Sequence, residues 1–130
     1  MSFASDAIKS HWLRVLAGTV YHSQPPEVVT ITQKIVQVTV RVIVESPKQP
    51  ITTDGAGETV ERLNVFLMRD STAALGDVTI GGIDQFKVGC QLLRSNGLKY
   101  IFQGDVLDLA EHYQVVQFVR KIRYAVGGGR

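Results

Sequence analysis

The sequence predicts a mainly β domain: a small β-barrel or sandwich with a short N-terminal helix and a long hairpin or loop excursion. Three observations carry this. Val and Ile together number 27 against 18 for Leu and Ala, and 9 Thr add to the β-branched total, so residues that suit a pleated sheet outweigh the best helix formers. The run QKIVQVTVRVIVE alternates at a strict period of two. Gly, Pro and Asn clusters punctuate the second half at short intervals, the spacing of a meander. At 130 residues and 45% apolar, the chain has the length and balance of one domain, 1–130.

The helix is expected at about residues 5–17. Ile8, Trp12, Val15 and Leu16 fall at i, i+4, i+7 and i+8, with Ser5 as N-cap, Asp6 in the first turn and Gly18 as the stop. The β core is expected over about 19–124. After the Pro25-Pro26 break, Val28, Thr30 and Thr32 alternate with Val29 and Ile31, an extended ribbon with an exposed edge. Val36, Val38, Val40, Val42 and Val44 then form one face of a long strand, expected to be buried. A dozen residues at roughly 3.3 Å each reach about 40 Å, so part of this strand should bend or run past the sheet, where it could meet a neighbour.

Residues 46–59, SPKQPITTDGAGET, lack apolar periodicity and read as a long hairpin excursion. Its return strand runs from about Val60 to Arg69, with Leu63, Val65 and Leu67 inward and a partly apolar second face at Phe66 and Met68. Shorter strands are expected at Asp77–Ile80, Gln85–Arg94 and Leu98–Gln103, joined by a Gly81-Gly82 turn and an Asn96-Gly97 type I′ turn. The last strand, His112 to Tyr124, puts Val116, Phe118 and Ile122 on one face and Tyr113, Val115 and Val119 on the other, before a flexible tail at 125–130. GDVTIGGIDQFKV and GDVLDLAEHYQVV echo one another, which two strand-turn-strand units explain without duplication.

Chemistry-bearing patterns are few. Asp105, Asp108, Glu111 and His112 could in principle hold a divalent cation or act as an acid-base cluster, but acids alternating with Val106, Leu107 and Leu109 read better as a solvated connection or one helical turn tucking its leucines inward. His11, His22 and His112 have no nucleophile in a recognisable local context, and Cys90 reads as an inert strand residue. Gly81-Gly82 lacks the Lys-Ser/Thr of a phosphate loop. No enzymatic activity, cofactor or metal is therefore expected. A lone Cys fits a reducing compartment, and the N-terminus and hydropathy give neither a secretion signal nor a membrane span. A net charge of +2 implies no partner by itself. Arg120, Lys121, Arg123 and Arg130 nevertheless make residues 112–130 basic and free of acids, a solvated sheet end or a contact for an acidic partner or DNA backbone. Lys48, Thr53, Asp54 and Gly55 of the excursion complete the candidate contacts.

The element order, together with LGDVTIGGIDQFKV at 75–88 and YIFQGDVLDLAEHYQVVQFVRKI at 100–122, resembles the head-closure proteins of tailed bacteriophages, also called stoppers or head-tail joining proteins. By element order the resemblance covers about residues 3–124. It implies a virion neck subunit, assembled in the host cytoplasm, that forms a twelvefold or sixfold ring. The ring would join the portal and adaptor to the tail-terminator or tail tube protein and retain packaged DNA at its channel, with no membrane partner. Two alternatives stay open: a tail-terminator or tail-completion ring, and a small β-barrel binding ligand or nucleic acid through Arg94, Lys99, Arg120 and Arg123.

Overall fold

A computed structural model describes residues 3–53 and 57–122. Helix α1 (Phe3–Ala17) precedes nine strands: β1 (Glu27–Gln33), β2 (Val36–Glu45), β3 (Ile51–Thr53), β4 (Thr59–Met68), β5 (Ala74–Leu75), β6 (Val78–Thr79), β7 (Gln91–Leu93), β8 (Lys99–Leu109) and β9 (Tyr113–Lys121). Six of them close into a barrel in the order β2-β1-β7-β8-β9-β4, with Ile43, Val44 and Glu45 of β2 pairing Phe66, Val65 and Asn64 of β4. Every neighbouring pair is antiparallel. Closure removes the sheet edges wherever both neighbours are in register.

Alternation fills the barrel. Leu63, Val65 and Leu67 of β4 point inward, as do Val29 and Ile31 of β1 and Gln114, Val116 and Phe118 of β9. The interior packs around Phe118, Phe102 and Phe86, whose rings lie 5.5–5.9 Å apart. Burying each such side chain contributes about 1.5–3 kcal/mol. The partly apolar second face of β4 is also used. Phe66 and Met68 carry a second core outside the barrel, where Val15 and Leu16 of α1 meet Ile43, Met68, Ala73 and Ile80. Trp12 packs tilted on this face, its ring centroid 4.3 Å from that of Phe66, and Tyr113 stacks on Phe66 at 5.0 Å.

The helix begins at Phe3, ahead of the expected N-cap Ser5, and stops at Gly18 as expected. Gly18 has φ 83°, its amide donates to the Val15 carbonyl and the Thr19 amide to that of Arg14, so two otherwise orphaned carbonyls are satisfied at the helix end. The edge of β1 is not exposed along its length, because Thr30, Ile31 and Thr32 pair with β7. The excursion is not wholly irregular either: β3 folds back to pair Thr59–Glu61 at the start of β4.

The strand expected at Gln85–Arg94 is reduced to β7, and that at Asp77–Ile80 to β6. The intervening chain crosses the top of the barrel as a cap. Ile83 and Phe86 plug the interior, and the Ile83 amide donates to the Met68 carbonyl. Gln114, almost fully buried on β9, donates its side-chain amide to the carbonyls of Ile83 and Asp84. Gly82 is required here: a Cβ would lie 2.4 Å from the Met68 carbonyl oxygen and 2.6 Å from that of Asp70.

Two turns differ from expectation. At 94–98 only Gly97 has positive φ, with the Gly97 amide donating to the Arg94 carbonyl and the Arg94 amide to that of Leu98. This is a type I turn followed by a glycine bulge instead of type I′, and the Asn96 side chain accepts from the Leu98 amide. The β1–β2 hairpin, by contrast, turns on Lys34-Ile35 without Gly or Asn, and Lys34 itself takes φ 57°. The sequence echo has no structural counterpart: Gly76-Asp77 forms the turn between β5 and β6, whereas Gly104-Asp105 lies within β8 beside a bulge.

Candidate interaction surfaces

The long valine face is buried for only part of its length. Val40 and Val42 lie in the barrel and Val44 against it, but Val36 and Val38 are exposed, and Ile35 at the hairpin tip is 96% exposed. The reason is topological. β4 reaches β2 only at Ile43–Glu45, the Arg41 amide finds the Ile80 carbonyl and Gly81 lies against Thr39, so over the stretch before Thr39 the side of β2 away from β1 has no strand beside it among the described residues. Ile35, Val36 and Val38 form an apolar hollow with Ile31 and Ile83, rimmed by Lys34 and Lys87.

A second exposed stretch comes from GDVLDLAEH, which is neither a helical turn nor a connection with its leucines tucked in. It is the outer half of β8, held to β9 by Val106–Val116, Asp108–Val115 and Leu109–Gln114 pairs with bulges between them. β7 ends its pairing at Ile101, and the Phe102 backbone bonds to Gly89 and Cys90. Beyond Phe102 that side of β8 has no strand partner among the described residues. Residues 103–109 are all exposed, including Val106, Leu107 and Leu109. Arg69 anchors the base of this ribbon: its Nη1 donates to the Ala110 carbonyl at 2.7 Å, Nη2 lies 2.7 Å from Asp84 Oδ1, and its amide donates to the His112 carbonyl.

Asp105, Asp108, Glu111 and His112 all sit on this ribbon and its turn, and Glu111 lies 3.6 Å from His112. Among the described residues no group of three or more His, Cys, Asp or Glu side chains is placed to hold a metal ion. His11 and His22 instead flank Trp12, with ring centroids 5.0 and 6.0 Å away. Cys90 is buried in the barrel, and burial pushes its thiol up to about 11. No described helix is long and apolar enough to cross a membrane.

The basic strand residues gather at the opposite end of the barrel, where carboxylates meet them. Arg94 donates from Nε and Nη2 to the two Glu27 oxygens at 3.1 and 2.9 Å, and Arg120 does so from Nε and Nη2 to Glu61 Oε1 at 3.0 and 2.7 Å. Tyr100 stands between them on β8, its ring 5.9 Å from the Arg120 guanidinium carbon. This row runs from Glu27 on β1 across Arg94, directly after β7, to Tyr100 on β8, Arg120 on β9 and Glu61 on β4. Burial alone would raise the Glu27 carboxyl, but hydrogen bonds from Arg94 and Ser95 outweigh it and hold the carboxyl below its ordinary value. The Glu61 hydrogen bond likewise raises Arg120.

The expected contact residues fall partly together. Lys48 is exposed before β3, Thr53 ends β3 opposite Thr59, and Arg120 and Lys121 pair in register with Glu61 and Val60, so all four lie along the β3–β4–β9 corner. Lys121 lies 3.1 Å from Glu58. Lys99 is exposed on β8. Asp54, Gly55, Arg123 and Arg130, and the tail at 125–130, lie outside the described residues.

One of these two exposed apolar stretches is marked in the sequence by the excess length of the valine run. The β8 edge is not, since its alternating acids and leucines fit a solvated turn equally well. No family model, curated protein or solved structure matches the chain.

Proposed function

We propose that the protein is a structural subunit of the neck of a tailed bacteriophage, a head-closure component. Copies would form a ring that joins the portal and adaptor to the tail and retains packaged DNA. The observation that carries this reading is the distribution of exposed apolar residues. A closed barrel with its own filled core leaves two lengths of strand, at Ile35–Val38 and Val106–Leu109, each paired on one side and with no strand on the other among the described residues. Such strands are sites for pairing with another chain, and an isolated barrel gains nothing from exposing them.

The resemblance of residues 75–88 and 100–122 to head-closure proteins supplies the place of assembly. Pairing of Arg94 and Arg120 with carboxylates favours a structural role for these two cations over a phosphate-binding stripe, because each is already matched by an acid. The ring would meet protein over most of its surface and DNA only locally.

The test is a phage lacking this gene product. Heads should package DNA and then lose it, and purified heads should regain retention when the protein is added back. Normal retention without the protein would reject closure, and tails of uncontrolled length would assign the protein to the tail terminus instead.

A further inference from the structure

We infer that the free edge of β8 in one copy pairs with the free edge of β2 in a second copy, antiparallel and head to tail. The inference rests on the ring-subunit reading only for its choice of a second copy as the occupant. In the six-stranded order, one strand separates the β1–β2 hairpin from the β8–β9 ribbon on each side, β7 on one and β4 on the other. The two hairpins therefore stand on opposite sides of the barrel. The open side of β2 faces away from β1, toward β4, and that of β8 faces away from β9, toward β7. Both face the same sense around the wall from opposite sides of it, so they point in opposite directions. A copy displaced sideways with little rotation brings one edge to the other, a heterologous contact that repeats and closes when its rotation allows.

Side chains agree with this. The β8 edge offers Val106, Leu107 and Leu109 together with Asp105 and Asp108, and the β2 edge offers Ile35, Val36 and Val38 with Lys34 and Lys87 beside them. None of these four charges makes an ion pair among the described residues, although most other acids of the barrel wall are matched. Acids on one edge and lysines on the other favour the heterologous pairing and disfavour either edge meeting itself.

Mixing purified Ile35→Cys and Leu107→Cys proteins under mild oxidation reads the contact directly, since buried Cys90 leaves no competing thiol. The mixed disulfide should exceed its statistical share over the two homodimers. Adding Asp105→Lys and Asp108→Lys to the Leu107→Cys protein should abolish that excess, and pairing it with an Ile35→Cys protein carrying Lys34→Asp and Lys87→Asp should restore it. A statistical mixture, or an excess indifferent to the charge reversals, would overturn the inference. Failure here with the protein still found as a neck ring would leave the proposed function standing, and a restored heterodimer from a protein found elsewhere in the particle would do the reverse.

Discussion

The backbone amide of Lys87 donates a 2.9 Å hydrogen bond to the side-chain oxygen of Gln33, joining residues 54 positions apart. It ties the cap over the barrel to the tip of the β1–β2 hairpin, next to the apolar hollow. Replacing Gln33 by Ala leaves that amide without its partner. Stability should fall by about 1 kcal/mol, and amide exchange across 84–88 should quicken while that of β4 and β9 stays slow. Unchanged exchange in the cap would show that this bond does not hold it.

Gly82 tests the cap from below. Because the atoms a Cβ would strike are the backbone carbonyls of Met68 and Asp70, no side chain can move aside, and Gly82→Ala should cost about 3 kcal/mol in urea denaturation. Gly89→Ala is the control, with φ 94° but nothing within 4 Å of the added methyl, and should cost about 1 kcal/mol. Equal costs would contradict the close approach.

The Glu27–Arg94 pair sets an acid limit. Glu27 is held below its ordinary 4.5 in the folded state, so its stabilisation is complete above 4.5 and is lost as pH falls through the lower folded value. Arg94→Met should cost about 2 kcal/mol at neutral pH, and the gap from wild type should narrow as Glu27 protonates. A gap independent of pH would remove Glu27 from the account.

Cys90 reports on barrel integrity. With the residue 3% exposed and its thiol pushed up to about 11, it should resist alkylation at pH 8 until the barrel opens, and its labelling should follow the same urea transition as the tryptophan signal. Rapid labelling of the folded protein would contradict its burial between β7 and the cap.

Much of the fold was legible from period-two patterning, because a strand buried on one face must alternate. The inward Leu63, Val65 and Leu67, the second apolar face at Phe66 and Met68 and the α1 stripe that covers it are all of this kind. Three features were not legible. The Lys34-Ile35 turn carries no Gly or Asn, so hairpin closure there comes from the pairing of seven residues on each side and not from turn chemistry. The cap at 84–89 alternates like a strand, yet its hydrogen bonds go to the Gln33 and Gln114 side chains and to isolated carbonyls. The β8 edge depends on where β7 stops, which is a fact about a neighbouring strand and leaves no mark in GDVLDLAEH itself.

Image reconstruction of intact virions tests the central claim most directly. The proposed role predicts this barrel as a closed ring on the particle axis, between the portal-adaptor assembly and the tail, with β8 of each copy beside β2 of the next. Density for the barrel on the capsid surface, in the baseplate or at no ordered position in the particle would contradict it.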